Sequence, residues 1–187
     1  MGHLSLIIGC MFAQKTTELL RRIRKFESIG YRVLVINYSK DNRYGSNIIA
    51  SHDVVTRDAV CIDKLAMIDK EVRSSHYDVV VVDEGQFFED LYKYVTDWTD
   101  NLNIQVVIAG LDGDSNRQPF GDILKLIPFA EEVDRQTAFC AVCRDGTLAM
   151  YSKFTANCAK TISTISSQVV VGGAELYKPV CRKHYLS

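Results

Sequence analysis

A chain of 187 residues, 47% of them apolar and 24% charged, has the material for one compact core, or one core with a small appendage, and is too short for two full domains. The formal net charge of −1 excludes a global basic field that would draw the chain onto nucleic acid or an anionic membrane, so any phosphate site has to be local. No apolar run has the length of a membrane span, and the start MGHLSLIIGC lacks the charged segment and cleavage pattern of a secretory leader. The expected compartment is therefore the cytoplasm. There Cys10, Cys61, Cys140, Cys143, Cys158 and Cys181 read as thiols or metal ligands before they read as disulfides.

In chain order, LSLIIG, YRVLVINY, DVVVVDE and IQVVIAGLD are short runs rich in Val and Ile, bounded by Gly, Asp or Asn, and predict buried strands. Between them TTELLRRIRKFESIG, the stretch around 60–76 and FFEDLYKYVTDWTDN carry helical apolar spacing. Strands alternating with helices, each strand apolar along its whole length, predict an α/β fold: a parallel sheet with helices on both faces. Ligands of such sheets bind beyond the carboxyl ends of the strands, where Gly9, Asp83, Glu84 and Asp112 fall. After about residue 136 the pattern changes to short polar and β-prone pieces with paired cysteines. This divides the chain into a P-loop α/β domain, 1–136, and a small zinc-ribbon subdomain, 137–187.

LIIG runs directly into GCMFAQKT and then a helix. That placement aims backbone N–H groups and a helix N-terminus at phosphate oxygens, with Lys15 reaching the β/γ phosphates and Thr16 able to hold Mg²⁺. The phosphate-loop pattern is met at Gly9, Lys15 and Thr16, but Gln14 stands where a second glycine belongs, and a left-handed conformation there would cost about 1–3 kcal/mol. A plain strand-turn-helix with a surface lysine is the alternative. The carboxylates ending VVVVDE shift the balance. Asp83 is placed to hold the Mg²⁺ of a phosphate-loop site and Glu84 to take a proton from an attacking hydroxyl, whereas the bland alternative is two acids solvating a strand end. Of Phe87 and Phe88, which follow, one is expected to be core.

Cys140-x-x-Cys143 and Cys181-x-x-His184 form two close ligand pairs some forty residues apart, a spacing suited to a closed tetrahedral Zn²⁺ site, structural and outside the chemistry. A redox Cys-x-x-Cys is the rival, but it leaves the second pair unexplained. The run RRIRK at 21–25 is expected on a solvated helix face, with subunit contact as the alternative, and Trp98 against the sheet.

IIGCMFAQKTTELLRR, INYSKDNRYGS, VVDEGQFFEDL, AGLDGDSNRQPFGDIL, the Cys-x-x-Cys pair and VGGAELYKPVCRKHY, in this order and over nearly the whole chain, resemble the type II thymidine kinases of cells, poxviruses and protists. The resemblance implies transfer of the ATP γ-phosphate to the 5′-hydroxyl of thymidine or deoxyuridine, with Mg²⁺ as cofactor and a structural Zn²⁺. It implies Lys15 and Thr16 at the triphosphate, Asp83 at Mg²⁺, Glu84 as base, and Asp41 and Arg43 near the transferred phosphate, where a guanidinium offsets developing charge. It further implies a base slot of Met11, Phe87, Leu111, Phe120 and Tyr177, with Gln86 near the sugar and the backbone around Val171 and Gly172 on the base edge. It also implies a homotetramer in nucleotide salvage, with feedback by dTTP. Cys10, Gln14, Ser115, Ser152 and His184 depart from the family pattern. Those at Cys10, Gln14 and Ser115 leave room for a catalytically weak homologue serving as a structural or regulatory subunit, and the ribbon for a nucleic-acid-binding module, which the net charge opposes.

Overall fold

The computed structural model describes residues 1–40, 48–50, 56–155 and 176–187. Asp41, Arg43, Val171 and Gly172, named above as candidate site residues, lie outside the described residues, as do His52 and Cys158.

The four apolar runs are strands. β1 (His3–Gly9), β2 (Val33–Tyr38), two short strands β3 (Ile48–Ala50) and β4 (Thr56–Asp58), β5 (Val60–Ile62), β6 (Val79–Val82), β7 (Gln105–Gly110) and β8 (Glu132–Gln136) follow in chain order. Six of these make one parallel sheet in the order β5-β2-β6-β7-β1-β8. Around it lie α1 (Lys15–Glu27), α2 (Asp69–Ser74) and α3 (Leu91–Asp100). The stretch around 60–76 differs from expectation. It opens as the edge strand β5 and turns helical only from Leu65, because three apolar residues at 60–62 suffice to extend the sheet beside β2.

The strands bury both faces, and their side chains sort by the period of two that a pleated strand imposes. Leu4, Leu6, Ile8, Leu34, Ile36, Val80, Val82, Val106 and Ile108 share one cluster with Phe88, Leu91, Val95 and Trp98 of the α3 side. Ile7, Val35, Val79, Val81, Val107 and Ala109 share the other with Leu19, Leu20 and Ile23 of α1. Trp98 is fully buried and donates its indole N–H to Asp69 at 2.8 Å. The basic run of α1 is ion-paired more than merely solvated: Arg22 bonds Glu18 on its own helix and Glu132 and Asp134 on β8, while Ile23 is core.

The remainder is a small ribbon of two hairpins, β9 (Ala138–Phe139) with β10 (Leu148–Ala149) and β11 (Tyr151–Phe154) with β12 (Tyr177–Val180), closed by a helical turn at Arg182–Leu186. Its interior is shared with the main body. Cys140, Ala149, Val180 and Cys181 pack with Cys10 and Ala13, which follow β1. No helix among the described residues is long and apolar enough to cross a membrane.

Candidate active site

β1 ends at Gly9, whose φ of 147° places it where L side chains rarely go, and where a Cβ would collide with the backbone carbonyl of Gln136 on β8. Only glycine lets the chain leave the sheet at this point. The loop 10–14 then turns into α1 with Gln14 in the left-handed region, φ 59° and ψ 26°. The backbone therefore adopts the glycine-like conformation expected of this position, and the Gln14 side chain is exposed. Lys15 folds back over the loop and donates its ammonium to the carbonyl of Cys10 at 2.8 Å. Burial lowers the Lys15 pKa, and the carboxylates of Glu84, Asp83 and Asp112 oppose that shift. An anionic ligand at the loop would favour the charged ammonium further. The Cys10 thiol, buried and hydrogen-bonded to Ala149 O at 3.4 Å, is raised above its ordinary value by desolvation, which Lys15 partly offsets. It stays a neutral thiol.

Parallel order brings the end of β6 near the start of α1 although β7 lies between β6 and β1. Thr16 Oγ1 donates to Asp83 Oδ2 at 2.9 Å. The two are hard oxygen donors at the N-terminal turn of a helix of 13 residues, a donor set that fits Mg²⁺ coordinated by protein and phosphate oxygens together. Asp83 is buried and its other oxygen accepts from the Glu84 N–H at 3.0 Å. Glu84 itself has φ 52° and begins a 3-10 turn, Gly85–Phe87. Gln86 within this turn is buried. Its Nε2 donates to Glu84 Oε2 at 2.7 Å and its Oε1 accepts from Leu111 N–H at 2.9 Å, just past β7.

Of the aromatic pair, Phe88 is core and Phe87 is partly exposed. Phe87 stacks on Tyr38 at 5.0 Å between ring centroids and meets Phe120 edge-on at 5.3 Å. These three rings form an aromatic wall at the carboxyl ends of β2 and β6. Tyr38, which closes β2, lies in the segment INYSKDNRYGS but was not assigned to the slot by the sequence. Met11 and Tyr177 are nearly buried. Tyr177 stacks on Phe154 at 4.6 Å across the β11–β12 pair, while the Met11 N–H is held by Ser152 Oγ of β11 at 3.0 Å. The loop that carries Ser115 is pinned by the ribbon as well. Tyr185 donates its hydroxyl to Ser115 O at 2.7 Å, and the Arg117 guanidinium lies 4.5 Å from the Tyr185 ring centroid. Asp112 pairs with Arg135 of β8 at 2.9 Å, a contact that no motif marks.

Cys140, Cys143, Cys181 and His184 converge, with all ligand atoms within 4.8 Å of one another. Tetrahedral Zn²⁺ with Zn–S near 2.3 Å and Zn–N near 2.05 Å requires S···S edges of about 3.8 Å and S···N edges of about 3.6 Å. Cys143 and Cys181 stand 3.8 Å apart, and Nδ1 of His184 lies 3.6, 3.2 and 3.4 Å from Cys140, Cys143 and Cys181. The cluster therefore has the donor set of a closed zinc site, and these four of its six edges have the dimensions. Cys140 follows a short strand into a turn, not a helix, which disfavours the redox reading.

The model of the family described as thymidine kinase matches residues 2–185. The chain is 39% identical to a thymidine kinase of Oryza sativa subsp. japonica over 189 aligned positions, covering 99% of this chain and 66% of that longer protein. It is 37% identical to a thymidine kinase of monkeypox virus and 36% identical to that of vaccinia virus strain Western Reserve, each time over 99% of this chain and 97% of the viral protein. A phosphate loop backed by Thr16–Asp83, an acidic strand end and a four-ligand ribbon thus occur in a sequence matched from end to end, and the chain belongs to the thymidine kinase family.

Proposed function

We propose that this chain transfers the γ-phosphoryl group of ATP to the 5′-hydroxyl of thymidine, or deoxyuridine, giving the nucleoside monophosphate for salvage. The observation that carries the reading is the Thr16–Asp83 hydrogen bond at 2.9 Å beside Lys15 and Glu84, because it joins a phosphate loop to an acidic strand end in the arrangement phosphoryl transfer needs.

In this reading Gly9 and the turn into α1 let backbone N–H groups approach the triphosphate, and Lys15 exchanges the Cys10 carbonyl for β/γ oxygens. Thr16 and Asp83 would hold Mg²⁺, which when bound neutralises charge on the triphosphate. Glu84 accepts the proton of the 5′-hydroxyl as its oxygen attacks the γ-phosphorus. Arg43, with Asp41 nearby, is assigned by resemblance to the transferred group, and the backbone at Val171 and Gly172 to the base edge. Met11, Phe87, Leu111, Phe120 and Tyr177 supply the apolar slot for the base, an assignment supported by the contact between the Phe87 and Phe120 rings. Zn²⁺ on Cys140, Cys143, Cys181 and His184 is structural. A cytoplasmic setting, a homotetramer and feedback by dTTP belong to the same proposal.

The test is MgATP-dependent conversion of a panel of deoxynucleosides by the purified protein, its Lys15→Ala and its Glu84→Gln forms. Turnover of thymidine and deoxyuridine that both variants lose is the expected result. Turnover of every nucleoside except those two would remove the substrate assignment. Absence of both turnover and ATP binding would instead favour a non-catalytic homologue.

A further inference from the structure

Glu84 is an unusual platform for a base. It sits at φ 52° at the head of a three-residue 3-10 turn, Gly85–Phe87, neither within a helix nor within a strand. The amide of Gln86, within that turn, reaches back to it. Oε1 accepts from the Leu111 N–H and Nε2 donates to Glu84 Oε2. Rotating the amide by half a turn would set two donors together at Leu111 and an oxygen against a carboxylate, so the Leu111 N–H dictates which end faces Glu84. Gly110 leaves room for the amide; a Cβ there would lie 2.5 Å from Gln86 Oε1.

We infer that Gln86 is a positioning residue: it ties the Glu84 carboxylate to the carboxyl end of β7, instead of making the sugar contact that the family resemblance implies. The inference rests on Glu84 acting as the base. Fixing the carboxylate oxygens relative to β7 sets their distance from the attacking hydroxyl, where a displacement of about 1 Å can cost a hundredfold in rate.

The experiment compares kcat, the thymidine KM and Tm for the wild type, Gln86→Met, Gln86→Glu, Gly110→Ala and Glu84→Gln. Gln86→Met keeps the volume but removes the amide, and should lower kcat about 10–100-fold with KM changed less than about threefold. Gln86→Glu keeps the shape but replaces the amide donor with a second carboxyl group, and should lose kcat in the same way. Gly110→Ala displaces the amide, and the Ile123 side chain with it, without altering residue 86, and should repeat the kcat loss at constant KM. A rise in KM with kcat unchanged in the Gln86 variants would mean that the residue contacts the nucleoside, and overturns the inference. So would wild-type kcat in Gln86→Met accompanied only by a lower Tm. Glu84→Gln separates the two readings. If it retains wild-type kcat, the base assignment fails and the inference falls with it; if it is inactive and Gln86→Met keeps the wild-type kcat, the inference alone fails.

Discussion

Ser152→Ala probes the seam between the phosphate loop and the ribbon. Ser152 and Met11 are 5% and 9% exposed, and the serine hydroxyl accepts the Met11 N–H at 3.0 Å. Removing the oxygen leaves a buried backbone donor without this acceptor, a loss of about 1–3 kcal/mol. For a chain of this length each kcal/mol moves the melting temperature roughly 2–4 °C, so Tm should fall by roughly 2–12 °C. Ser152→Thr keeps the acceptor and should stay within about 1 kcal/mol of wild type, the range of a conservative swap. The assay is thermal unfolding followed by circular dichroism, beside ATP binding by calorimetry; the alanine variant should bind ATP more weakly because ordering the loop then costs binding free energy. An alanine variant with wild-type Tm and wild-type ATP affinity would refute the idea that the ribbon hydroxyl seats the loop.

Gln14→Gly relieves a left-handed residue, about 1–2 kcal/mol, against about 0.4–1 kcal/mol of added unfolded-state entropy. A Tm unchanged or raised by up to roughly 6 °C is expected, and a fall of several degrees would reveal a contact of the Gln14 side chain. Withdrawing metal from the Cys140–Cys143–Cys181–His184 cluster should speed amide exchange in the ribbon and also in residues 9–16, since Cys10 and Ala13 share the ribbon's core; exchange confined to the ribbon would contradict that coupling. Glu18, hydrogen-bonded first by Arg21 and also by Arg22, has its pKa lowered from 4.5 to about 2. A depressed carboxylate pKa stabilises the fold above the unfolded value and loses that contribution as pH falls. Glu18→Gln should therefore flatten the Tm curve between about pH 4.5 and 2, and an unaltered slope there would argue against the pairing.

The central strands were legible because burial on both faces leaves nothing but Val, Ile, Leu and Ala along most of their length. The two edges were not. Val60–Ile62 is too short to assert a period, and Glu132–Gln136 spends its charges on Arg22 and Asp112, so neither resembles a buried strand. The turn at 9–16 and the Cys140–Cys143–Cys181–His184 cluster were legible as patterns because each sets particular residues at fixed spacings. Ser152 holding Met11 and Gln86 holding Glu84 follow no spacing rule. Each is a single polar side chain meeting a buried partner, and the first spans 141 positions of sequence. Likewise the boundary near residue 136 marks a change of composition, while Cys10 and Ala13 pack across it.

The span from Met11 to Ser152 also bears on how the protein comes to be folded. β1 pairs on one side with β7 and on the other with β8, and the loop after it is seated by a hydroxyl 141 residues later. At a synthesis rate of about 5–20 residues per second, that hydroxyl follows the loop by roughly 7–30 s. Non-local pairing of this kind slows folding. Until Gln105–Gly110 is made, the nascent chain carries an apolar strand, LSLIIG, with neither parallel neighbour present. β1 is thus a segment for a holding chaperone to cover, and the loop after it takes its final shape only once Ser152 has been made.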